Sequence, residues 1–319
     1  MSYPHEARDF ADLVAVVAGR RRLAPALVEK DYWVTHVLWG LHRLGLEIWF
    51  KGGTSLSKGF GLIERFSEDL DLKVEPGNGS ALDRVKSWKS EGTRAVKDRQ
   101  AYFDALLHRL RIPGVVVTPD PTFEDRSNRS AQFRVSYTGT HLSGLADVMR
   151  PFVLLEIGDA RVTPYVQRDM TSFIHEELDE LGQLHLFEDN RPKAVRCVHP
   201  LVTLIEKLDA LHRRVPRADV APATFVRHFE DAARIIAAEG DLPELDGYES
   251  PRALADEMLA QRQVALRPEA SDVAFKPNTG ARFADIRRAH LAIAPMFWGP
   301  RTGIEEACSA IREWIRKRL

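Results

Sequence analysis

Cysteine is scarce in this chain of 319 residues, which contains only Cys197 and Cys308. Two isolated cysteines exclude a disulfide framework, and the lack of a Cys-x-x-Cys pair excludes the usual thiolate zinc sites. The N-terminal sequence MSYPHEARDF has no apolar signal segment, and no apolar run approaches the length of a membrane span. These absences predict a soluble, cytoplasmic protein without a membrane partner.

Excess charge is also lacking, because the formal net charge is −1. The chain as a whole therefore has no strong field that would attract nucleic acid. Residues 191–234 are a local exception, with nine Lys and Arg against five Asp and Glu. This basic block either meets RNA phosphates or forms the basic side of a helical bundle. No internal repeat, GxSxG motif or HExxH motif is present.

The most informative segment is residues 51–74, KGGTSLSKGFGLIERFSEDLDLKV. Gly52 and Gly53 follow an apolar strand and allow the backbone to come close to a polyphosphate. A helix that begins near Thr54 or Ser55 offers free backbone amides to the same ligand. The turn therefore predicts a phosphate-binding site.

Asp69 and Asp71 stand two residues apart on the next predicted strand, so both side chains point to one face, about 7 Å apart at the backbone. Two convergent carboxylates suit a divalent metal ion. The alternative is a solvated strand face. Leu70 and Leu72 on the opposite face and the phosphate-type turn upstream favour metal binding. A phosphate turn joined to a carboxylate pair indicates nucleotidyl transfer.

Glu156 lies in a strand that is apolar on both faces, where a carboxylate is costly unless it is paired or bound to a metal. We expect either a third metal ligand beside Asp69 and Asp71 or a buried salt bridge to Arg134 or Arg161.

Lys207 borders the apolar stripe of a predicted helix. Its side chain either lies along the edge of the core or reaches a triphosphate with its ammonium group. Asp231 lies on the following helix, where spacing alone favours a solvated acid.

The hydrophobic periodicity predicts an α/β domain at residues 1–190 and a helical domain at residues 191–319. Helices are expected at residues 5–19, 25–44, 54–60, 82–110, 199–214, 222–239, 251–266 and 303–318. Strands are expected at residues 47–51, 69–75, 114–118, 131–138, 151–158 and 195–198. Residues 267–280 are expected to be irregular.

Several segments resemble the AbiEii/AbiGii-type nucleotidyltransferase toxins. They are EKDYWV at 29–34, FKGGTSLSK at 50–58, RFSEDLDL at 65–72, LEIG at 155–158, EKLDAL at 206–211 and RHFED at 227–231. The resemblance runs from about residue 25 to 235, and the last 80 or so residues carry no matching motif. It implies an α/β, polymerase-β-like nucleotidyltransferase domain with a mixed sheet, followed by a C-terminal helical-bundle domain that completes the active site.

The resemblance also assigns site residues. Nucleotide binding is implied for Gly52, Gly53, Thr54, Ser55 and Lys58, Mg²⁺ binding for Asp69 and Asp71, and catalytic roles for Asp69, Asp71, Lys207 and Asp231. The implied activity is transfer of NMP from an NTP, with Mg²⁺, to the 3′ end of tRNA, which blocks aminoacylation and translation. The implied partner is an antitoxin encoded nearby, and we expect a monomer.

Two other functions stay open at this point. The acceptor could be a hydroxyl of a protein or small molecule, because surfaces outside the active site choose the acceptor. A non-catalytic module that binds nucleotide or antitoxin is the other alternative, although such a module has no need of two metal-binding carboxylates.

Overall fold

The computed structural model describes residues 2–67, 69–77, 82–141 and 149–319, so Glu68 of the third matched segment lies outside the described residues. The chain forms two compact units. Unit 1 comprises residues 1–59, 68–160 and 167–197, and unit 2 comprises residues 60–67, 161–166 and 198–319. The domain boundary expected at residue 190 stays a prediction.

A seven-stranded sheet contains the strands of the described chain. They are β1 Leu46–Lys51, β2 Asp69–Pro76, β3 Val115–Pro119, β4 Ser130–Tyr137, β5 Val153–Gly158, β6 Tyr165–Arg168 and β7 Val195–Val198. Their spatial order is β3-β4-β5-β2-β1-β7-β6. Strand β2 pairs antiparallel with β1 and parallel with β5. The predicted α/β class with a mixed sheet is therefore confirmed.

Ten helices occur in the described residues. They are α1 Phe10–Arg21, α2 Pro25–Arg43, α3 Gly52–Thr54, α4 Thr93–Arg109, α5 Phe173–Glu180, α6 Pro200–Arg214, α7 Arg227–Ala237, α8 Pro251–Ala260, α9 Ala281–Ala292 and α10 Ile304–Arg318. The short α3 continues as a π-helix, Ser55–Gly59. Within the described ranges no helix combines the length and apolar character that a membrane span requires. The arrangement of α6 to α10 as a bundle stays a prediction.

The single helix predicted at residues 82–110 is wrong in its first third, because α4 begins only at Thr93. Arg99 is fully buried and donates to the backbone carbonyls of Ser87 at 2.7 Å and Ser90 at 3.0 Å. These bonds hold residues 87–90 in a non-helical loop. Gly92 then forms the boundary, in keeping with its poor helix propensity.

Other boundaries also differ from expectation. The helix predicted at 251–266 ends at Ala260, and Arg262 soon after it has a left-handed φ of +58°. The helix predicted at 222–239 begins at Arg227, after a separate 3₁₀ turn, Pro222–Thr224. The periodicity missed α5, α9 and β6, and the last of these has only four residues.

Candidate active site

The carboxylate pair lies on β2, between β1 and β5 in the sheet. Leu70 and Leu72 are 0% and 2% exposed, whereas Asp69 and Asp71 are half-buried. The alternation places the two leucines in the core and both carboxylates on the other face of the strand. The predicted common face of Asp69 and Asp71 is therefore confirmed, while their binding of a metal stays a prediction.

The Gly52 turn lies directly against Asp71. Lys51, the last residue of β1, is the register partner of Asp71, so the next residue leaves the sheet beside that carboxylate. Gly52 has φ +75°, and a Cβ on it would lie 1.8 Å from Oδ2 of Asp71. Only glycine permits both the backbone conformation and this approach. The structure therefore brings together the predicted phosphate turn and one of the predicted metal ligands.

The side chains of Thr54 and Lys58, which follow the turn, have partners within unit 1. The Thr54 hydroxyl donates to the carbonyl of Asp69 at 2.6 Å, and Ser55 is 1% exposed. The Lys58 ammonium forms an ion pair with Asp31 at 2.5 Å and donates to the carbonyl of Thr171 at 2.9 Å. The Thr54 bond fixes the turn on β2, and the Lys58 contacts fix the residues that follow it on α2 and on the segment before α5. Nucleotide binding by Thr54, Ser55 and Lys58 stays a prediction.

The donor set of Asp69 and Asp71 fits a hard divalent cation, because both residues offer carboxylate oxygens on one face. Oδ1 of Asp69 accepts from Nη1 of Arg150 at 3.0 Å. The Arg150 side chain is 47% exposed, so it can leave this ion pair without losing a buried environment.

Glu156 is the register partner of Asp71 on β5. Its carboxylate accepts from the Gln132 amide at 3.0 Å. The predicted salt bridge is wrong for both proposed partners, since Arg134 binds Asp120 at 2.8 Å and Arg161 binds Glu257 at 3.0 Å.

A cavity of about 90 Å³ is lined by both Glu156 and Asp71. Its lining includes Asp71, Ser130, Glu156 and Asp159. Among residues 2–67, 69–77, 82–141 and 149–319, no three His, Cys, Asp or Glu side chains are grouped to hold a metal ion. The role of Glu156 as a third metal ligand stays a prediction.

Lys207 and Asp231 belong to unit 2, where the structure brings them together in a buried cluster. The Asp231 carboxylate accepts from Nε and Nη2 of Arg65, both at 2.8 Å, and from Nζ of Lys207 at 2.7 Å. Asp231 is 1% exposed and Lys207 is 7% exposed. The expectation of a solvated acid at Asp231 is therefore wrong. The assignment of Lys207 and Asp231 to one site with Asp69 and Asp71 stays a prediction.

Burial raises the pKa of Asp231, but the charges of Arg65 and Lys207 outweigh burial and hold that pKa well below its usual range. Burial also lowers the pKa of Lys207, against the opposing effect of Asp231. One carboxylate thus lies between two cations. Sequence reasoning gave Arg65 no role, although it begins the RFSEDLDL segment that carries the carboxylate pair.

Comparison with known proteins gives one family. Residues 37–302 match the family model of the nucleotidyl transferase AbiEii toxin, type IV toxin–antitoxin system. No curated protein sequence matches the chain. Among solved structures, MenT4, a nucleotidyltransferase toxin from Mycobacterium tuberculosis H37Rv, is similar with 18% identity, 96% of both chains covered and a TM-score of 0.39. Terminal uridylyl transferase 4 from Trypanosoma brucei with bound dUTP has 10% identity, with 96% of this chain and 71% of that chain covered and a TM-score of 0.28.

Proposed function

Because the chain belongs to the AbiEii nucleotidyl transferase toxin family, we propose that it transfers NMP from an NTP, with Mg²⁺, to the 3′ end of tRNA, whose terminal hydroxyl attacks the α-phosphorus and displaces pyrophosphate. The modified tRNA cannot be aminoacylated, and translation stops. The observation that carries the proposal is the contact of Gly52 with Asp71, since it joins a phosphate-type turn to a carboxylate pair.

In this proposal the backbone amides of Gly52, Gly53 and the first residues after them bind the triphosphate. Asp69 and Asp71 would hold the divalent cation, which when bound lowers the pKa of an attacking hydroxyl and offsets the negative charge on the phosphates. The protein contributes mainly by positioning the two substrates and by stabilising charge through fixed groups.

Lys207 is proposed to contact the triphosphate with its ammonium group. Its bond to Asp231, which Arg65 holds through two further hydrogen bonds, fixes the direction of that side chain. A fixed cation loses less side-chain entropy on binding phosphate than a free lysine does.

The test is incubation of the protein with total tRNA and each of the four NTPs, labelled at the α-phosphate. We expect label on tRNA with at least one NTP, dependence on Mg²⁺, and loss of transfer in Asp71→Asn. Label that appears only on protein, with tRNA unmodified under every NTP, would instead support a protein acceptor.

The toxin family also implies an antitoxin, whose gene we propose to lie beside this one. Expression of the chain alone should arrest growth, and co-expression with the neighbouring gene should restore it. Growth arrest by Asp71→Asn at wild-type levels would favour a non-catalytic binding module.

A further inference from the structure

A second basic surface lies in unit 1, outside the block at residues 191–234. Residues 84–97 hold five Lys and Arg against a single acid, Glu91. Four of these cations are exposed and define the basic patch: Lys86, Lys89, Arg94 and Lys97. Within the described parts of the chain, none of the four has a carboxylate within ion-pair distance. Their charges are therefore available to a ligand.

Arg99 fixes the loop that presents the patch. It is fully buried and donates to the carbonyls of Ser87, Ser90 and Ser127 at 2.7, 3.0 and 2.9 Å. Among the described residues it has no carboxylate partner. Because the partners of this guanidinium are carbonyls, no carboxylate offsets its charge, which adds to the positive potential of the loop.

Lys86 and Arg94 line one cavity of about 250 Å³, together with Ser87, Ser90 and Asp98. Two of the four patch cations, one in the loop and one on α4, thus lie at the same cavity. The Asp98 carboxylate accepts from the backbone N–H of Lys86 at 3.0 Å, which partly offsets its charge. The cavity also includes Gly92, at the start of α4, whose dipole favours an anion there.

The block at residues 191–234 differs from the patch, because at least six of its nine cations form ion pairs with described residues. They are Arg191, Lys193, Arg196, Lys207, Arg213 and Arg217. An exposed cation that must leave a carboxylate to bind RNA phosphate contributes less to affinity than an unpaired one, and Lys207 is buried in the cluster with Asp231. The positive charge of the block is thus largely neutralised, whereas that of the patch is not.

The patch also borders the proposed catalytic cavity. Nζ of Lys73 lies 4.5 Å from the centroid of the Trp88 ring and donates to Asp159 at 2.9 Å. Asp159 lines the same cavity as Asp71. On the other side, Arg129 donates to the carbonyl of Lys89 at 3.1 Å, and the next residue, Ser130, lines the same cavity. The loop that presents the patch is therefore connected on two sides to residues that line the cavity of Asp71.

We propose that the basic patch binds the phosphate backbone of the acceptor RNA next to its 3′ end, so that the terminal hydroxyl reaches the Asp69 and Asp71 face. The inference rests on the proposed function and names the surface that selects its acceptor. Exposed, unpaired Lys and Arg bind phosphate without reading sequence, and each contact releases counterions.

The test measures binding of a fluorescent tRNA by the full chain without NTP, by anisotropy, between about 50 and 200 mM salt. One variant reverses the patch charge with Lys86→Glu, Lys89→Glu, Arg94→Glu and Lys97→Glu. The matched control is Arg213→Glu, Arg214→Glu and Arg217→Glu in the other block. Melting curves check that both variants are folded, and glutamine replacements at the same positions serve as a milder set.

We expect patch reversal to weaken tRNA binding at least about tenfold. The slope of log affinity against log salt should become shallower by about 0.7 to 0.9 for each phosphate that the variant no longer binds. The control should bind within about twofold of wild type, and NTP binding should not change in either variant. Weaker binding only in the control, or no tRNA binding by wild type at low salt, would overturn the inference. Patch-dependent tRNA binding without nucleotide transfer would contradict the proposed function and leave the patch as an RNA site.

Discussion

Asp71 makes two contacts that decide how it is best tested. Its carboxylate lies against Gly52 and beside the register position of Glu156, so a smaller side chain would also disturb packing. Asp71→Asn keeps the shape and removes the charge. We expect nucleotide transfer to fall by several powers of ten, because the proposed cation supplies several kcal/mol of the barrier lowering. The matched control is Asp104→Asn on the exposed surface of α4, which should transfer normally. Near-full activity of folded Asp71→Asn would exclude this site.

A comparison of Gly52 with Gly45 separates the effect of a clash with Asp71 from the effect of backbone strain. Gly52 and Gly45 both have positive φ, +75° and +68°, but only Gly52 has an atom within 4 Å of an added Cβ. Gly45→Ala should cost only the left-handed strain of about 1–2 kcal/mol. Gly52→Ala should cost more and should also abolish transfer, since Asp71 must move. Thermal unfolding and transfer assays on the two variants check this, and equal effects would show that Asp71 has room to adjust.

Asp231 should matter more for stability than Lys207. Asp231→Ala removes the carboxylate that the buried cations of Arg65 and Lys207 share, and loss of one partner from such a pair costs about 3–5 kcal/mol. Lys207→Ala leaves Asp231 bound to Arg65, so we expect a smaller loss of stability and a large loss of transfer. Leu208→Ala should do the reverse, with a cavity cost of about 2–5 kcal/mol. Urea unfolding and NTP binding of the three variants decide this. If Lys207→Ala unfolds easily yet binds NTP normally, the lysine is structural.

At this scale the sequence predicted which carboxylates share a face but not which groups bind them. The alternation of Asp69, Leu70, Asp71 and Leu72 is a local property of a strand, so it can be read directly. The contact between Arg65 and Asp231 joins residues 166 positions apart, and no local pattern encodes it. For the same reason the burial of Asp231 was missed, since its own helix offered no sign of a cationic partner.

Among the elements, α2 shows that hydrophobic periodicity predicts the extent of a helix but not the burial of its charged residues. Its predicted extent agrees closely with the observed Pro25–Arg43, but every residue from Ala26 to Leu41 is buried, including charged ones. Glu29 accepts from the backbone N–H groups of Thr140 and His141, both at 3.0 Å. Lys30 donates to the carbonyl of Arg150 at 2.5 Å. The EKDYWV segment therefore binds other backbone segments of unit 1 to α2. The sequence alone did not predict this role.

Helix α2 also carries part of a buried polar network that predicts acid sensitivity. The Asn190 amide donates to the Tyr32 hydroxyl at 2.9 Å, and its carbonyl oxygen lies 2.7 Å from Nε2 of His175. Burial lowers the pKa of His175 to about 4 and that of His5 to about 3. Both imidazoles are neutral in the folded protein at pH 7.

The free energy of unfolding should therefore fall as the pH drops from about 6.5 towards 4, because in that range the unfolded chain binds protons and the folded chain does not. His175 alone contributes about 1.4 kcal/mol per pH unit in that window. His175→Gln should flatten the curve of unfolding free energy against pH, measured with urea at several pH values. Parallel curves for the variant and wild type would show that His175 titrates normally.

For the molecule as a whole, the two units are not consecutive in sequence, since unit 2 takes residues 60–67 and 161–166 as well as 198–319. Two contacts connect the first of these segments to the rest of unit 2. Arg65 forms an ion pair with Asp231, and the Phe66 N–H donates to the Met296 carbonyl at 2.7 Å. A fragment of residues 191–319 lacks both contacts and leaves Lys207 and Asp231 without Arg65. We expect it to unfold without a cooperative transition in circular dichroism. A sharp transition like that of the full chain would support the boundary at residue 190.

The interleaving of the units has a consequence for the timing of toxicity. During synthesis Arg65 is made well before Asp231, its partner 166 positions later in the chain. At about 5–20 residues per second, synthesis from Arg65 to Asp231 takes roughly 10–30 s. During that interval unit 2 cannot close, and a nascent chain lacks the cluster that holds Lys207. If Lys207 acts in transfer as proposed, the toxin would stay inactive until Asp231 has been made, when most of its own synthesis is complete.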